Sequence, residues 1–386
     1  MTPTRVLIAG VSTRGFAESA ARAGYDVVAV DGFGDLDLRA RCRQVAVART
    51  PRGRFSVALA VQQGRFVACD AVAYVASFEN HPRAVRALAH GRPLWGNPPA
   101  LLPRARDPMR ALSTINHAFP LTFSGPTTGE PLDFRWLLKP RASGGGRGVR
   151  LYRAGEPVPK GWYLQQQVVG APGSIVFVAA GGRAVPLGIS RMLVGDPAFG
   201  VEGFRYCGSI LASAGDRIAH ELFDPCEQAW RIANAAAAAF GLVGLNGIDL
   251  IAERGKYWYP VDVNPRYTAS MELVERAYGI SIFETHARAC AGALPRFDLE
   301  AARRRPDAVG KAIVYAQGDV QVGDTSAWLE DDDIRDIPVP GQRIARGQPV
   351  CTVFASGKDQ QSCYAGLVQR ARGIYHAVQA PLMGSA

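Results

Sequence analysis

The sequence predicts a multidomain protein that combines α/β and α+β architecture, and three observations support this prediction. The chain has 386 residues, whereas one domain usually has roughly 100–200. Its first hundred residues alternate short apolar runs with helix-like segments, as in a parallel sheet. Its last part returns to strand-like runs separated by Gly and Pro turns. We expect three domains, at residues 1–96, 97–295 and 296–386.

The N-terminal residues have the pattern of a strand–loop–helix–strand unit of Rossmann type. Arg5 to Ala9 is apolar and β-branched, the loop Gly10 to Gly15 follows, and an alanine-rich helix runs to about Ala23. The second strand, Asp26 to Val30, ends at Asp31. An acidic residue at this point is typical of NAD-binding proteins, but the loop lacks the G-x-G-x-x-G spacing. A packing role or a contribution to a substrate pocket is therefore the favoured interpretation.

Further segments divide the rest of the chain. Strands around Phe66 to Val75 and Pro93 to Gly96 complete the first sheet, and Asn97-Pro98-Pro99 breaks it. The second domain then extends to about Pro295. Strands at 312–315, 335–339 and 349–354 predict a small β-rich C-terminal module.

Composition excludes several classes of protein. No N-terminal leader pattern occurs, and no apolar run reaches the roughly 18 residues that span a bilayer. Seven scattered cysteines without a C-x-x-C pair indicate neither disulfides nor zinc, so we expect a cytoplasmic protein. The net charge of +10 comes mainly from dispersed arginines without a nucleic-acid-binding module, which favours attraction of small anions over nucleic acid.

A glycine-rich loop carries the strongest single signal. Lys139 ends an apolar strand, and Ser143, Gly144, Gly145, Gly146, Arg147 and Gly148 follow. Glycines let backbone N–H groups approach phosphate oxygens, and a lysine adds positive charge. The order is not that of a Walker A loop, where the lysine follows the glycines. A flexible surface loop is the alternative.

Consecutive amide side chains follow in the next predicted strand. Gln165, Gln166 and the nearby Val168 could offer polar groups and apolar surface to an adenine edge. An ordinary edge strand with solvated glutamines would have the same sequence.

A hairpin after the next helix carries oxygen ligands. Asp224-Pro225 predicts the start of a helix that ends at Gly241. A turn near Gly255 then pairs the strand containing Asp249 with the strand containing Asp262 and Asn264. Two carboxylates and an amide oxygen on adjacent strands predict a Mg²⁺ site. Solvated aspartates on an exposed sheet face are the alternative.

Two more side chains follow the hairpin. Arg266 could hold a carboxylate and stabilise an oxyanion. Glu272 stands near the start of the next helix, where a negative charge is favoured for structural reasons as well. We predict both as catalytic residues, with the structural role of Glu272 left open.

The glycine-rich loop, the strand with amide side chains and the hairpin with oxygen ligands follow one another in the sequence. In this order they resemble the ATP-grasp superfamily, in the branch of biotin carboxylase and carbamoyl-phosphate synthetase. The resemblance covers most of the chain and implies a Rossmann-like preceding domain, an ATP-grasp domain of two α+β lobes and a C-terminal cap. It implies that Lys139 and the loop Ser143 to Gly148 bind phosphates, that Asp249, Asp262 and Asn264 bind metal, and that Arg266 contacts the acyl substrate.

The sequence departs from the family at three points. Asp249 and Asp262 occupy the two acidic metal positions, where Glu is common. A hinge glutamate of the family is replaced within Gln165 to Gln167. No lysine precedes Lys139, so Arg104 or Arg106 could replace the other lysine that contacts ATP in these enzymes.

The resemblance implies an ATP-dependent carboxylate ligase with ATP and Mg²⁺ as cofactors. It would form an acyl phosphate from a small-molecule carboxylate and join the acyl group to an amine. Biosynthesis of a one-carbon coenzyme of the methanofuran or tetrahydromethanopterin type is a further hypothesis from resemblance. The alternatives are a bicarbonate-using carboxylase with a separate carrier and a non-catalytic ATP-binding protein. A homodimer is the expected assembly.

Overall fold

The computed structural model describes residues 3–116, 118–124, 134–211, 225–253 and 258–379. Its strands, in chain order, are β1 (Arg5–Ala9), β2 (Asp26–Asp31), β3 (Gln44–Val47), β4 (Ala71–Tyr74), β5 (Leu94–Trp95), β6 (Thr122–Phe123), β7 (Trp136–Pro140), β8 (Arg150–Leu151), β9 (Trp162–Gln166), β10 (Ala171–Ala180), β11 (Arg183–Val194), β12 (Tyr206–Leu211), β13 (Gly244–Ala252), β14 (Trp258–Asn264), β15 (Ala308–Tyr315), β16 (Val320–Gln321), β17 (Ile334–Arg335), β18 (Arg343–Ile344) and β19 (Pro349–Gly357). Its α-helices are α1 (Arg14–Arg22), α2 (Leu36–Arg41), α3 (Val57–Gly64), α4 (Pro82–Leu88), α5 (Leu102–Ala105), α6 (Ala111–Ile115), α7 (Pro225–Phe240), α8 (Met271–Tyr278), α9 (Ile282–Cys290), α10 (Leu299–Arg303) and α11 (Gln360–Gln379).

The N-terminal residues form a parallel sheet with strand order β3-β2-β1-β4-β5. Strand β1 is central and buried, which explains its continuous apolar run. The predicted strand–loop–helix–strand unit is confirmed by β1, α1 and β2. Strand β3 was not predicted, and the predicted start of the next strand was too early. That strand starts at Ala71, whereas the side chain of Phe66 is 80% exposed.

Two antiparallel sheets form the middle of the chain. A four-stranded sheet has the order β6-β9-β7-β8, and an eight-stranded sheet has the order β14-β13-β10-β11-β12-β15-β19-β17. The predicted hairpin is β13–β14, at the edge of the larger sheet. Its turn and the predicted helix cap Asp224 lie outside the described residues. Helix α7 ends before Gly241, whose φ of 66° is the left-handed conformation expected of a C-terminal glycine.

Of the C-terminal strands, β15, β17 and β19 join the eight-stranded sheet, whereas β16 and β18 pair with each other in a separate two-stranded sheet. Strand β15 pairs with β12, and β19 pairs with both β15 and β17, so the eight-stranded sheet continues across residue 296. Helix α11, which the sequence analysis missed, packs on β15 and β19. The domain boundary at residue 296 stays a prediction.

Apolar packing joins the parallel sheet to the larger antiparallel sheet. Phe16 of α1 stacks on Tyr267 and contacts Phe283, each at 4.8 Å between ring centroids. These residues share one buried cluster with Val176 of β10 and Met271 of α8. Burial of this surface holds the loops at the carboxyl ends of the parallel strands in a fixed position beside β14.

Within the described segments, no helix combines the length and apolar character that crossing a membrane requires.

Candidate functional site

The three predicted oxygen ligands lie together on β13 and β14. Asp249 is directly opposite Asp262 in the strand register, next to a β-bulge between Asp249 and Leu250. The amide nitrogen of Asn264 donates a hydrogen bond to Oδ2 of Asp249 at 3.1 Å. The bulge re-aims the strand at this point, and the alternation of β14 places Asp262 and Asn264 on the same face.

The charge balance at these residues suits a cation. Desolvation and the nearby Asp262 raise the pKa of Asp249 to about 6, against the smaller opposing effects of Asn264, Arg266 and Lys139. A dication between the two carboxylates would remove this repulsion. The described residues hold no group of three or more His, Cys, Asp or Glu side chains arranged for a metal. Two carboxylates and an amide nonetheless fit Mg²⁺, which takes few protein ligands when it also binds phosphates.

Arg106 contacts both the candidate metal ligands and the glycine-rich loop. Its Nη1 donates to Oδ1 of Asp262 at 2.6 Å and to the carbonyl oxygen of Val263 at 2.8 Å. Its Nη2 donates to the carbonyl oxygen of Ser143 at 3.3 Å. Arg104, the other candidate replacement for the missing lysine, instead donates to the carbonyl oxygen of Ala239. Of the two arginines, the structure therefore brings Arg106 to the site.

Arg266 is fixed beside Asn264 by three hydrogen bonds. Its Nε donates to Oε1 of Glu79 at 2.7 Å, its Nη1 to the carbonyl oxygen of Tyr267 at 2.9 Å and its Nη2 to Oδ1 of Asn264 at 3.0 Å. Hydrogen-bonding capacity on Nη1 and Nη2 is left for a bidentate anion. Glu79 was not predicted as a site residue, and it lies in a short 3-10 turn, 187 residues before Arg266.

Lys139 stands at the end of β7, as predicted, and its ammonium group faces the neighbouring strand. Nζ donates to Oε1 of Gln165 at 2.9 Å, and the amide nitrogen of Gln165 reaches Thr122 at 3.4 Å. Gln165 is buried, so in this structure its amide orients Lys139.

The other two predicted adenine contacts lie at the end of β9. Oε1 of Gln166 accepts a hydrogen bond from the backbone N–H of Leu121 at 3.3 Å. Val168 is partly exposed just beyond the strand. Contacts of Gln165, Gln166 and Val168 with adenine stay predictions.

The glycine-rich loop adopts a backbone that glycine alone reaches easily. Gly145, Gly146 and Gly148 have φ values of 60°, 69° and 80°, and Gly144 lies in open space. The hydroxyl of Ser143 donates to the carbonyl oxygen of Arg147 at 2.6 Å and closes the loop. A Cβ on Gly146 would lie 1.7 Å from the carbonyl oxygen of Phe204.

Glu272, predicted as a catalytic residue with a structural role left open, lies between two basic side chains. Its carboxylate is buried and accepts hydrogen bonds from Arg14 and from Nζ of Lys311, the latter at 2.5 Å. Burial alone would raise the pKa of Glu272, but Arg14 and Lys311 hold it well below its usual range. The geometry places Glu272 in an ion-pair network between the N-terminal domain and β15. Its catalytic role stays a prediction, and these contacts favour the structural interpretation.

The carboxylate of Asp31 accepts hydrogen bonds from residues of the N-terminal domain. Its Oδ2 accepts hydrogen bonds from the backbone N–H and hydroxyl of Thr13, and its Oδ1 from the backbone N–H groups of Phe33 and Gly34. A carboxylate used in this way is not free for a ribose hydroxyl. The interpretation of Asp31 as a packing residue is favoured over NAD binding.

Residues 109–270 match the family model described as the ATP-grasp domain. The chain contains an ATP-grasp domain. Strands β6 to β14 and the whole candidate metal site fall within this match, and the predicted phosphate loop lies between β7 and β8 of the same domain. By sequence, the chain matches none of the curated proteins.

Solved structures share the fold over nearly the whole chain. Rhizobium etli pyruvate carboxylase aligns with a TM-score of 0.70 and 16% identity, covering 96% of this chain and 37% of that protein. The chain therefore spans little more than a third of that enzyme. A second structure is the biotin carboxylase domain dimer of Hydrogenobacter thermophilus 2-oxoglutarate carboxylase, in complex with MgADP, ADP and bicarbonate. It aligns with a TM-score of 0.69 and 15% identity, covering 98% of this chain and 91% of that chain. Thermotoga maritima N5-carboxyaminoimidazole ribonucleotide synthetase aligns with a TM-score of 0.65 and 14% identity, covering 96% of this chain and 98% of that protein.

These similarities show that the ATP-grasp fold of biotin carboxylase extends over the chain, including the parallel sheet that precedes the family match. The expected fold class is confirmed.

Proposed function

We propose that this protein is an ATP-dependent ligase that activates a small-molecule carboxylate and joins it to an amine. The observation that carries the proposal is the arrangement of Asp249, Asp262 and Asn264 beside Arg266, on two adjacent strands of an ATP-grasp domain. This arrangement puts oxygen ligands for a metal next to a guanidinium group with capacity for an anion.

The proposed reaction has two steps. A carboxylate oxygen of the substrate attacks the γ-phosphorus of ATP, which forms an acyl phosphate and releases ADP. The amine nitrogen then attacks the acyl carbon, an amide bond forms, and inorganic phosphate leaves with the bonding electrons. The amine proton is lost to solvent or to phosphate.

Each residue of the site has a proposed part in these steps. Asp249, Asp262 and Asn264 would hold Mg²⁺, which supplies charge neutralisation at phosphate oxygens when it is bound. Lys139 and the backbone N–H groups of the loop from Ser143 to Gly148 would bind and orient the phosphates.

Arg266 would bind the substrate carboxylate and then stabilise the oxyanion that develops on it. Its contacts with Glu79 and Asn264 fix the plane of the guanidinium before the substrate arrives. Such preorganisation lowers the cost of orientation during the reaction.

Calorimetry of Mg·ATP binding tests the first half of the proposal. Wild-type protein should bind ATP only in the presence of Mg²⁺. The double variant Asp262→Ala/Asn264→Ala should lose this Mg²⁺-dependent ATP binding. The variant Asp307→Ala, at an exposed acidic residue, is the control and should bind as wild type does. Wild-type protein that does not bind Mg·ATP would contradict both the ligase and the non-catalytic ATP-binding alternative, and would favour another nucleotide.

A screen for ADP release tests the second half. Carboxylate and amine pairs, including glutamate with pterin or furan amines, would be tested for stoichiometric ADP and phosphate formation. Their activity would support a one-carbon coenzyme pathway. ADP release that depends on bicarbonate and a biotinyl carrier, without another carboxylate, would assign a carboxylase instead. A homodimer in the cytoplasm remains part of the proposal, supported by the dimer of the Hydrogenobacter domain.

A further inference from the structure

Two serines continue the line of candidate metal ligands across the larger sheet. Asp249 of β13 stands opposite Asp262 of β14 and, on its other side, opposite Ser174 of β10. Ser174 is in turn opposite Ser190 of β11. Directly opposed residues of antiparallel strands point to the same face, with Cβ atoms about 4.5–5.5 Å apart. The two hydroxyls therefore lie in one row with Asp249, on the face that carries the candidate metal ligands.

Both serines are buried, and one of them lacks a hydrogen-bond partner. Ser174 is 3% exposed and Ser190 is 1% exposed. Oγ of Ser190 has no partner among the described residues. The adjacent Ile175 and Ile189 belong to the apolar core on the opposite face. A buried hydroxyl without a partner is unfavourable, and an alanine would fill the same space without this cost. A bound group therefore explains this hydroxyl better than packing does.

The glycine-rich loop crosses above these strands. At one point, Arg106 joins the carboxylate of Asp262 on β14 to the carbonyl oxygen of Ser143, at 2.6 and 3.3 Å. Two residues further along the loop, the carbonyl oxygen of Gly145 accepts a hydrogen bond from the backbone N–H of Tyr206 on β12 at 3.1 Å. In the order of the sheet, β13, β10 and β11 lie between β14 and β12. The loop is therefore held above the strands that carry the two serines.

The position between this loop and the row suits the terminal phosphoryl group of ATP. The backbone N–H groups of the loop and the metal ligands are the groups proposed to hold the phosphates, and the serines lie beside both. Hydroxyls donate hydrogen bonds to phosphate oxygens, and such charge-assisted bonds are stronger than those between neutral groups. Beyond the serines the row becomes apolar, because Leu211 of β12 is opposite Ser190 and Val309 of β15 is opposite Leu211. The polar part of the row thus stays close to the metal ligands.

We propose that Ser174 and Ser190 bind oxygens of the terminal phosphoryl group of ATP and make the site select the triphosphate over the diphosphate. The inference rests on the proposed ligase function, because that function places the nucleotide between the loop and the metal ligands, and it adds two residues to this site. The substrate carboxylate also presents oxyanions, but Arg266 beside Asn264 already supplies its binding group. The hydroxyls then contact a group that ADP lacks.

Calorimetry with a matched pair of nucleotides tests the inference. The probes are the Mg²⁺ complexes of ADP and of β,γ-imidoadenosine triphosphate, a triphosphate that is not hydrolysed. We expect wild-type protein to bind the triphosphate about tenfold or more tightly, as charge-assisted hydrogen bonds to one further phosphoryl group predict. Ser174→Ala and Ser190→Ala should each weaken triphosphate binding about tenfold and change ADP binding less than about twofold.

Thermal denaturation of the unliganded variants separates this role from a structural one. Ser190→Ala removes a buried hydroxyl without a partner among the described residues, so we expect its unfolding midpoint to stay at or above that of wild type. Ser356→Ala is the matched control, because Ser356 of β19 lies in the same row, opposite Val309, and is exposed. This variant should keep the wild-type ratio of the two affinities.

Three outcomes would overturn the inference. Wild-type protein that binds both complexes equally would show no selection of the terminal phosphoryl group. Serine variants that keep the wild-type ratio would show that the hydroxyls do not contact this group. Equal losses for both nucleotides would assign the serines to the nucleotide site as a whole. In each case intact MgADP binding by wild-type protein leaves the proposed ligase function standing, whereas failure to bind either complex contradicts both proposals.

Discussion

Oε1 of Glu79 accepts a hydrogen bond from Nε of Arg266 at 2.7 Å, and both side chains are largely buried. The other carboxylate oxygen, Oε2, is buried without a hydrogen-bond partner among the described residues. A buried carboxylate with one unpartnered oxygen is unfavourable by itself, so its pairing with Arg266 is what compensates its charge. The N-terminal domain thereby holds a residue of the ATP-grasp domain in place.

Replacing Glu79 by Gln should disturb substrate binding without removing the nucleotide site. The variant keeps the shape of the side chain but leaves Arg266 without its counter-charge. We expect KM for the carboxylate to rise about tenfold and the free energy of unfolding to fall by about 1–3 kcal/mol. Steady-state kinetics and urea denaturation measure the two effects.

Two further measurements separate this role from general destabilisation. The Kd for Mg·ATP of Glu79→Gln should stay within about twofold of wild type, because Glu79 contacts Arg266 rather than the candidate metal ligands. Glu300→Gln, at an exposed acidic residue of α10, is the control. An unchanged KM in Glu79→Gln would show that Arg266 does not depend on Glu79.

Arg106 and Arg104 should differ sharply in their importance for nucleotide binding. Arg106 pairs with Asp262 and reaches the phosphate loop, whereas the guanidinium of Arg104 donates to the carbonyl oxygen of Ala239 at the end of α7. We expect Arg106→Gln to weaken Mg·ATP binding by about tenfold or more, and Arg104→Gln to change it less than twofold. Calorimetry of both variants decides this, and a larger loss in Arg104→Gln would reverse the assignment.

Local patterns in the sequence were sufficient to predict that the three candidate metal ligands lie close together. A hairpin brings Asp249, Asp262 and Asn264 together through strand alternation and one turn, and both are short-range features. Lys139 and the glycines of the loop were predicted from an equally local pattern. By contrast, Glu79 meets Arg266 across 187 residues. Contacts of this kind depend on how domains pack, which a single sequence does not specify.

The C-terminal region shows two different reasons for a missed feature. Buried residues of α11 recur at Cys363, Leu367, Ala371, Ile374 and Val378, a helical period that could have been counted. The pairing of β15 with β12 joins segments about a hundred residues apart and has no comparable local signal. Strand β15 was predicted, whereas β12 and the place of β15 in the larger sheet were not.

Glu272 should prove structural rather than catalytic. Because Glu272→Gln leaves Arg14 and Lys311 buried without their shared counter-ion, we expect the free energy of unfolding to fall by about 3–5 kcal/mol. The kcat of the folded variant should remain within a few-fold of wild type. Denaturation curves and turnover at low temperature provide both values. A kcat reduced about a hundredfold or more in a variant of normal stability would restore the catalytic role.

His286 should make stability depend on pH in the acidic range. It is buried, its Nδ1 accepts from the backbone N–H of Leu245, and its Nε2 lies 3.1 Å from the carbonyl oxygen of Trp95. The neutral ring satisfies both contacts. Burial lowers the pKa of His286 from 6.5 to about 4, with a smaller opposing effect of Trp95.

The direction of the effect follows from proton binding. Between pH 4 and pH 6.5 the unfolded chain binds a proton at this residue and the folded chain does not. The stabilisation is therefore complete above pH 6.5 and is lost as pH falls toward 4, by about 3 kcal/mol in total. Urea denaturation of wild type and His286→Gln between these values should show a shallower pH dependence in the variant. His90→Gln, at an exposed histidine, should retain the wild-type slope.

Gly146 offers the sharpest test of the glycine-rich loop. Its φ of 69° is unfavourable for alanine, and a Cβ there would lie 1.7 Å from the carbonyl oxygen of Phe204. Gly144, two residues earlier, has no atom within 4 Å of the same position and is the matched control. We expect Gly146→Ala to prevent the loop from resting on the segment before β12, and Gly144→Ala to leave it in place. Mg·ATP affinity should then fall by about tenfold in Gly146→Ala, in line with about 1–3 kcal/mol of backbone strain or lost contacts. Calorimetry measures the affinity, and thermal denaturation checks that both variants remain folded. If both variants bound Mg·ATP as wild type does, the close contact with Phe204 would not be needed for nucleotide binding, and the loop would act at a later step.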